Sequence, residues 1–183
     1  MNGLTETTVQ TMLEGLYRAH SSSEGGYMLC LNEVGLAQVP FDQGRNWCPG
    51  LFWRLKTTGR HRLIGAVAIT FDILRCSKEQ ALKIAERFGR IGVWVYPDED
   101  ILDGRRPCWR IVMPLSHWVP KRDLPAIQRA FRRLVPEASS QNRYSGSYFL
   151  VSQGMGEHDI AYTNNAPPFD PDLLLSRPAG GLS

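Results

Sequence analysis

An α+β fold built on a ferredoxin-like (RRM-like) βαββαβ core follows from three features of the sequence. Residues 63–76 read LIGAVAITFDILRC, a long apolar and β-branched run that ends at one acidic residue, Asp72. Such a run fits a strand buried on both faces, although periodicity by itself also permits a buried helix. A helix start follows at once, since Ser77 and Gln80 stand at the S-x-x-Q spacing of a capping box. From Leu63 to Ser152 the order of signals is strand, helix, strand, strand, helix, strand, which is the split βαβ arrangement. Short right-handed connections then place both helices on one sheet face and make the first and third strands the central pair. In that arrangement Asp72 and Arg110 approach each other.

Taken in order, residues 5–20 predict an amphipathic helix, with Val9, Met12, Leu13, Leu16 and Tyr17 on one stripe. Residues 21–26 are a polar break, 27–31 a short strand and 36–39 a weaker one. Residues 42–50 read as a loop carrying Arg45 and Trp47. Residues 51–56 alternate in part and turn at Thr57-Thr58-Gly59, so they predict a β-hairpin with the organising strand, basic from Arg54 to Arg62. The first core helix buries Ala81, Ile84, Ala85 and Phe88 and stops near Gly89. Residues 91–96 are a strand by β-branched and aromatic content, 97–107 an acidic loop, and 108–113 a strand with Arg110 and Val112 on one face. Asp123 caps a second helix that has Pro125 in its first turn and buries Leu124, Ile127, Phe131 and Leu134. Residues 147–152 are the last core strand, and the tail from Gly154 is mostly irregular. The division expected is 1–40 as an N-terminal helix and short strands packed on the core, 41–153 as the core with its basic hairpin, and 154–183 as the tail.

The 183 residues suit one domain with additions, and 43% hydrophobic with 21% charged residues is an ordinary soluble composition. No apolar run approaches the roughly 20 residues of a membrane span. Four dispersed cysteines without a C-x-x-C pair argue against a zinc site or disulfide framework and fit a reducing cytoplasm. The net charge of +3 hides a segregation: residues 45–143 hold 19 Lys/Arg against 9 Asp/Glu, and the flanks are acidic. A basic middle suits a polyanion-binding surface, and equally a solvated face. The cations in view are Arg45, Arg54, Lys56, Arg60 and Arg62 around the hairpin, Arg110 on the third core strand, and Arg129, Arg132 and Arg133 on the second helix. The RRM signature, Walker loop, G-x-G-x-x-G, H-E-x-x-H and G-x-S-x-G are all absent.

Read together, Trp47-Cys48-Pro49, the basic hairpin, Phe71-Asp72-Ile73, Arg110-Ile111-Val112-Met113-Pro114-Leu115-Ser116, Ser147-Tyr148-Phe149-Leu150 and Pro168-Phe169-Asp170-Pro171 form an ordered series. In this order they resemble the compact phage and plasmid replication proteins of the archaeo-eukaryotic primase (primase-polymerase) superfamily, over roughly residues 45–175. The resemblance implies an RRM-like catalytic half and nucleotidyl transfer with two metal ions, Mg²⁺ or Mn²⁺, held by carboxylates. It implies DNA more than RNA as partner. Asp72 takes the place of the first catalytic and metal-binding carboxylate, Glu137 that of a later acid, and Arg110 that of the arginine in the R-h-h-x-P-L segment.

The match is uneven. The family's Asp-x-Asp reads Asp72-Ile73-Leu74 here, and its Ser/Thr-x-His falls on Tyr96-Pro97-Asp98-Glu99-Asp100, without histidine. One aspartate alone is a poor two-metal site. Three functions are consistent with these residues. The first is a nucleic-acid-binding, primase-polymerase-like protein of a mobile element that has lost its chemistry and assists or regulates replication. The second is an active metal-dependent primase or polymerase using Asp72, with Glu137 or a loop acid. The third is an inhibitor that binds a host-defence complex through tryptophans such as Trp47, Trp53 or Trp118. His117 reads as a loop or packing residue and His158-Asp159 as surface.

Overall fold

The computed structural model describes residues 4–8, 27–32, 35–37, 46–54, 61–97, 108–138, 149–150 and 160–175. Within them the chain is an α+β protein with one antiparallel sheet of nine strands and few helices. The strands are β1 (Thr5–Thr8), β2 (Tyr27–Asn32), β3 (Gly35–Ala37), β4 (Asn46–Arg54), β5 (His61–Leu74), β6 (Trp94–Pro97), β7 (Cys108–Pro120), β8 (Phe149–Leu150) and β9 (Ile160–Thr163). The helices are α1 (Lys78–Glu86), α2 (Leu124–Leu134) and the short α3 (Asp172–Leu175). The sheet runs β1-β9-β6-β7-β5-β4-β2-β3, with β8 on β4.

β5 is the axis of the sheet. Its residues Ile69, Phe71 and Ile73 point to one side and meet Ile111, Met113 and Leu115 of β7. Against that side pack Ala81, Ile84, Ala85 and Phe88 around α1, and Leu124, Ile127 and Phe131 of α2. Both helices lie on one face, where their apolar stripes cover the side chains that β5 and β7 present there. The other side of the same strands is buried too, at Ala68, Thr70, Tyr96, Arg110 and Val112. Burial on both faces is why the run from Leu63 shows no polar alternation. The α1 start forms as its residues dictate: Ser77 Oγ accepts from the Gln80 amide and Gln80 Oε1 from the Ser77 amide.

Several expectations need correction. Thr5–Thr8 is an edge strand on β9, since Thr-Glu-Thr-Thr is β-branched and finds an open edge to pair with; the rest of the expected N-terminal helix lies outside the described residues. The loop expected over 42–50 already belongs to β4 from Asn46. β6 starts at Trp94, because Gly92 is held by a bond from its amide to the Pro167 carbonyl at 2.6 Å. A Cβ at Gly92 would stand 2.7 Å from the Ala166 carbonyl oxygen, so this approach requires glycine. β7 runs on to Pro120 rather than ending at Met113. Between the pairs Ala68–Pro114 and Ala66–Val119, residues 115–118 of β7 stand against Val67 alone, a wide irregularity that carries Ser116 and His117 outward. His117 is thus an exposed strand residue and not a loop residue. Leu134, expected in the core, is 45% exposed at the last turn of α2. Asp123 occupies the α2 N-cap but makes no side-chain capping bond.

Residues 160–175 of the tail, expected to be mostly irregular, include a strand and a short helix and dock on the sheet. β9 pairs with β1 and β6. Buried Asn164 accepts from the Val93 amide at 3.0 Å and donates to the Ile91 carbonyl at 2.6 Å. Phe169 exchanges backbone bonds with Pro114 and Ser116 and sets its ring 5.1 Å from Phe131, which in turn stands 5.3 Å from Phe71. Of the last expected core strand, residues 147–152, the described part is β8, which pairs with β4 and not with β5 among the described residues. β8 shares with β5 the edge of β4 opposite β2 and runs in the same direction as β5. Besides its antiparallel pairing with β4, β5 makes an isolated antiparallel bridge, Ile73–Ala138.

Candidate functional site

The register of β5 and β7 makes Asp72 and Arg110 direct cross-strand partners, and that of β6 and β7 places Tyr96 on the far side of Arg110. All three belong to the face away from the helices. Arg110 donates through Nε to Asp72 Oδ1 at 2.8 Å and through Nη2 to Oδ2 at 3.4 Å. Its guanidinium carbon stands 5.8 Å from the Tyr96 ring centre. The Arg110 side chain is 2% exposed and that of Asp72 14%. A planar fork engaging both carboxylate oxygens in a dry setting is among the stronger polar contacts a protein makes. The same contact occupies the oxygens a metal ion would need.

Sequence reasoning anticipated this meeting but assigned the two residues other work. Arg110, expected as a nucleic-acid contact, is sealed from solvent and cannot reach a phosphate. Glu137, expected to share a metal with Asp72, sits on the helix-covered side. There it accepts from Arg87 at 2.7 Å, beside the Ile73–Ala138 bridge. That hydrogen bond, first among the causes, holds the Glu137 carboxyl below the usual range and raises Arg87. The structure does not bring Asp72 and Glu137 together, because alternate residues of a strand face opposite sides of the sheet. The acids 98–100, the other proposed partners, lie outside the described residues.

Of the expected basic surface, Arg62 at the start of β5 and Arg129, Arg132 and Arg133 on α2 are exposed. Arg45, Lys56 and Arg60 lie outside the described residues, as do the side chains of Arg54, Trp47 and Trp53. So do His158 and Asp159. The helix layer adds cations that were not singled out from sequence. Lys78, Lys83, Arg87 and Arg90 in and around α1, and Lys121 and Arg122 before α2, are all exposed. From Leu124 to Pro136 there is no acidic residue.

One group among the described residues has the donor set and spacing to hold a metal: His117, Asp170 and Asp172, whose ligand atoms lie within 4.8 Å of one another. His117 Nε2 is 3.5 Å from Asp172 Oδ1, and its Nδ1 is 3.1 Å from Ser116 Oγ. All three residues are solvent-facing. They meet only because Phe169 docks beside β7, a pairing of positions some fifty residues apart that no local pattern announces. Cys76 and Cys108 are free thiols. No described helix is long and apolar enough to cross a membrane. Compared with family models, with curated proteins and with solved structures, the chain matches none.

Proposed function

We propose that this protein is a nucleic-acid-binding, primase-polymerase-like scaffold without nucleotidyl-transfer chemistry at Asp72, serving replication of a mobile element. The observation that carries the reading is the bidentate Asp72–Arg110 pair. It ties the first expected catalytic carboxylate to a buried arginine, while the second, Glu137, is engaged by Arg87 on the other side of the sheet. Among the described residues, the cations exposed to a polyanion include Arg62 and, in the helix layer, Arg129, Arg132 and Arg133 of an α2 that has no acidic residue. Electrostatic contacts of this kind give affinity without sequence preference. DNA is the expected partner by the family resemblance. The RRM-like core is part of the proposal: β6-β7-β5 with a helix after β5 and another after β7 follows the split βαβ order. The fourth position is where this chain departs, with β4 beside β5 and β8 paired to β4.

Fluorescence anisotropy of a labelled single-stranded oligonucleotide across a salt series tests the reading, with primer extension in Mg²⁺ and in Mn²⁺ on the same preparation. Binding that weakens with salt and no extension is the expected result. The triple variant Arg129→Gln/Arg132→Gln/Arg133→Gln is expected to lower the log–log salt slope by about 2–3, at roughly 0.7–0.9 per phosphate contact. Extension abolished by Asp72→Ala would replace the proposal with an active enzyme using Mg²⁺ or Mn²⁺. Absence of both binding and extension would replace it with a protein-binding role, including inhibition of a host-defence complex.

A further inference from the structure

Beyond nucleic-acid binding, and independently of it, the structure carries a cavity of about 330 Å³ on the helix side at the C-terminal end of β5. Its apolar wall is Ile73, Leu74 and Ile84, and its polar rim includes Arg75, Lys83, Arg87 and Glu137. Glu137 accounts for Arg87 through their 2.7 Å ion pair. Among the described residues no hydrogen bond or ion pair holds Arg75 or Lys83, so the rim keeps two cations facing an apolar wall. Glu79, one turn before Lys83 on α1, lies outside the lining. Leu74 is 50% exposed beside this rim, an apolar side chain left open where a ligand would cover it.

We propose that this cavity binds a small organic phosphomonoester of about nucleotide size. The phosphate sits between Arg75 and Lys83, and the organic body lies against Ile73, Leu74 and Ile84. The volume lies at the small end of ligand pockets, enough for a mononucleotide or a sugar phosphate and not for a larger cofactor. A dianion suits two cations, since the guanidinium offers a fork to two phosphate oxygens and the ammonium a point charge to a third. The pocket binds rather than reacts. Its one thiol, Cys76, is 6% exposed, and burial followed by the neighbouring Glu137 pushes it up, away from the nucleophilic thiolate.

Arg75 also provides a clean test. Its backbone has φ 54°, the left-handed region that glycine enters without strain. Arg75→Gly thus removes the guanidinium while relaxing the chain, so lost binding in that variant cannot be laid to unfolding. Isothermal titration calorimetry at low ionic strength would use adenosine 5′-monophosphate, adenosine, glycerol 3-phosphate and inorganic phosphate as probes. Adenosine monophosphate or glycerol phosphate is expected to bind more tightly than inorganic phosphate, adenosine not at all. Whichever ester binds better identifies a planar or a polyol body. Arg75→Gly, with a melting temperature no lower than wild type, and Lys83→Met are each expected to weaken binding roughly tenfold or more. Arg133→Gln is expected to leave it unchanged.

The proposal is overturned if neither ester binds at millimolar concentration, if adenosine binds as well as its phosphate, if inorganic phosphate binds as tightly as either ester, or if Arg75→Gly binds like wild type. Its failure leaves oligonucleotide binding through α2 untouched. Ester binding by a protein that ignores oligonucleotides would sink the nucleic-acid reading alone.

Discussion

Removing the carboxylate of Asp72 separates a structural aspartate from a catalytic one. In Asp72→Ala the Arg110 guanidinium, 2% exposed, loses an acceptor that engages both its Nε and its Nη2. Breaking a buried pair by deleting one partner costs about 3–5 kcal/mol, because the remaining charge stays desolvated. For a chain of this length that corresponds to a fall of roughly 6–20 °C in Tm, at about 2–4 °C per kcal/mol. Arg110→Met keeps most of the side-chain volume and removes the charge. The double variant Asp72→Leu/Arg110→Met therefore regains much of the loss, since apolar replacement of a buried pair is often neutral or stabilising. Urea midpoints for wild type, Asp72→Leu, Arg110→Met and the double variant close a thermodynamic cycle with an expected coupling of roughly 2–3 kcal/mol. An Asp72→Ala protein within about 0.5 kcal/mol of wild type, the range of an ordinary surface change, would refute the reasoning. It would mean that the pair is not held in solution and that Asp72 is available to a metal.

Two further outcomes follow from the packing. Phe169→Ala removes a ring that is 6% exposed and 5.1 Å from the Phe131 ring. It should cost about 3–5 kcal/mol, and an unchanged urea midpoint would show that residues 160–175 do not dock as described. The Glu137 carboxyl is held below its ordinary value by the Arg87 hydrogen bond. Its contribution to stability is present above the unfolded-state carboxylate pKa and is lost as pH falls through the lowered value. Arg87→Met should flatten that part of the acid limb of stability against pH, and a limb identical to wild type would exclude the pair in solution.

Much of the fold was legible because local rules and tertiary demands agree. The Ser77–Gln80 capping box, the stripe of α1 and the two-faced burial of β5 are each written within a dozen consecutive residues. The meeting of Asp72 and Arg110 was also legible, since strand order brings the first and third core strands together and register does the rest. Its meaning was not. Whether a carboxylate and an arginine that meet are bound to each other or to outside ligands depends on burial, which is decided by what covers the face. Thr5–Thr8 shows the same limit at an edge: it was expected as the start of a helix, but it pairs with the open strand edge of β9.

Taken alone, the sequence determined an α+β protein with β5 at its centre, two helices with apolar faces and a surplus of cations between residues 45 and 143. These are properties of composition and short-range periodicity, set by side-chain hydrophobicity and backbone geometry. Tertiary structure decided which carboxylate meets which cation. Glu137 pairs with Arg87 fifty residues away, Asp72 with Arg110 thirty-eight residues away, and Asp170 and Asp172 come beside His117 only because Phe169 docks on β7. Charges of one sign are interchangeable in a linear pattern. Only packing, which excludes water from some of them and leaves others exposed, makes them different.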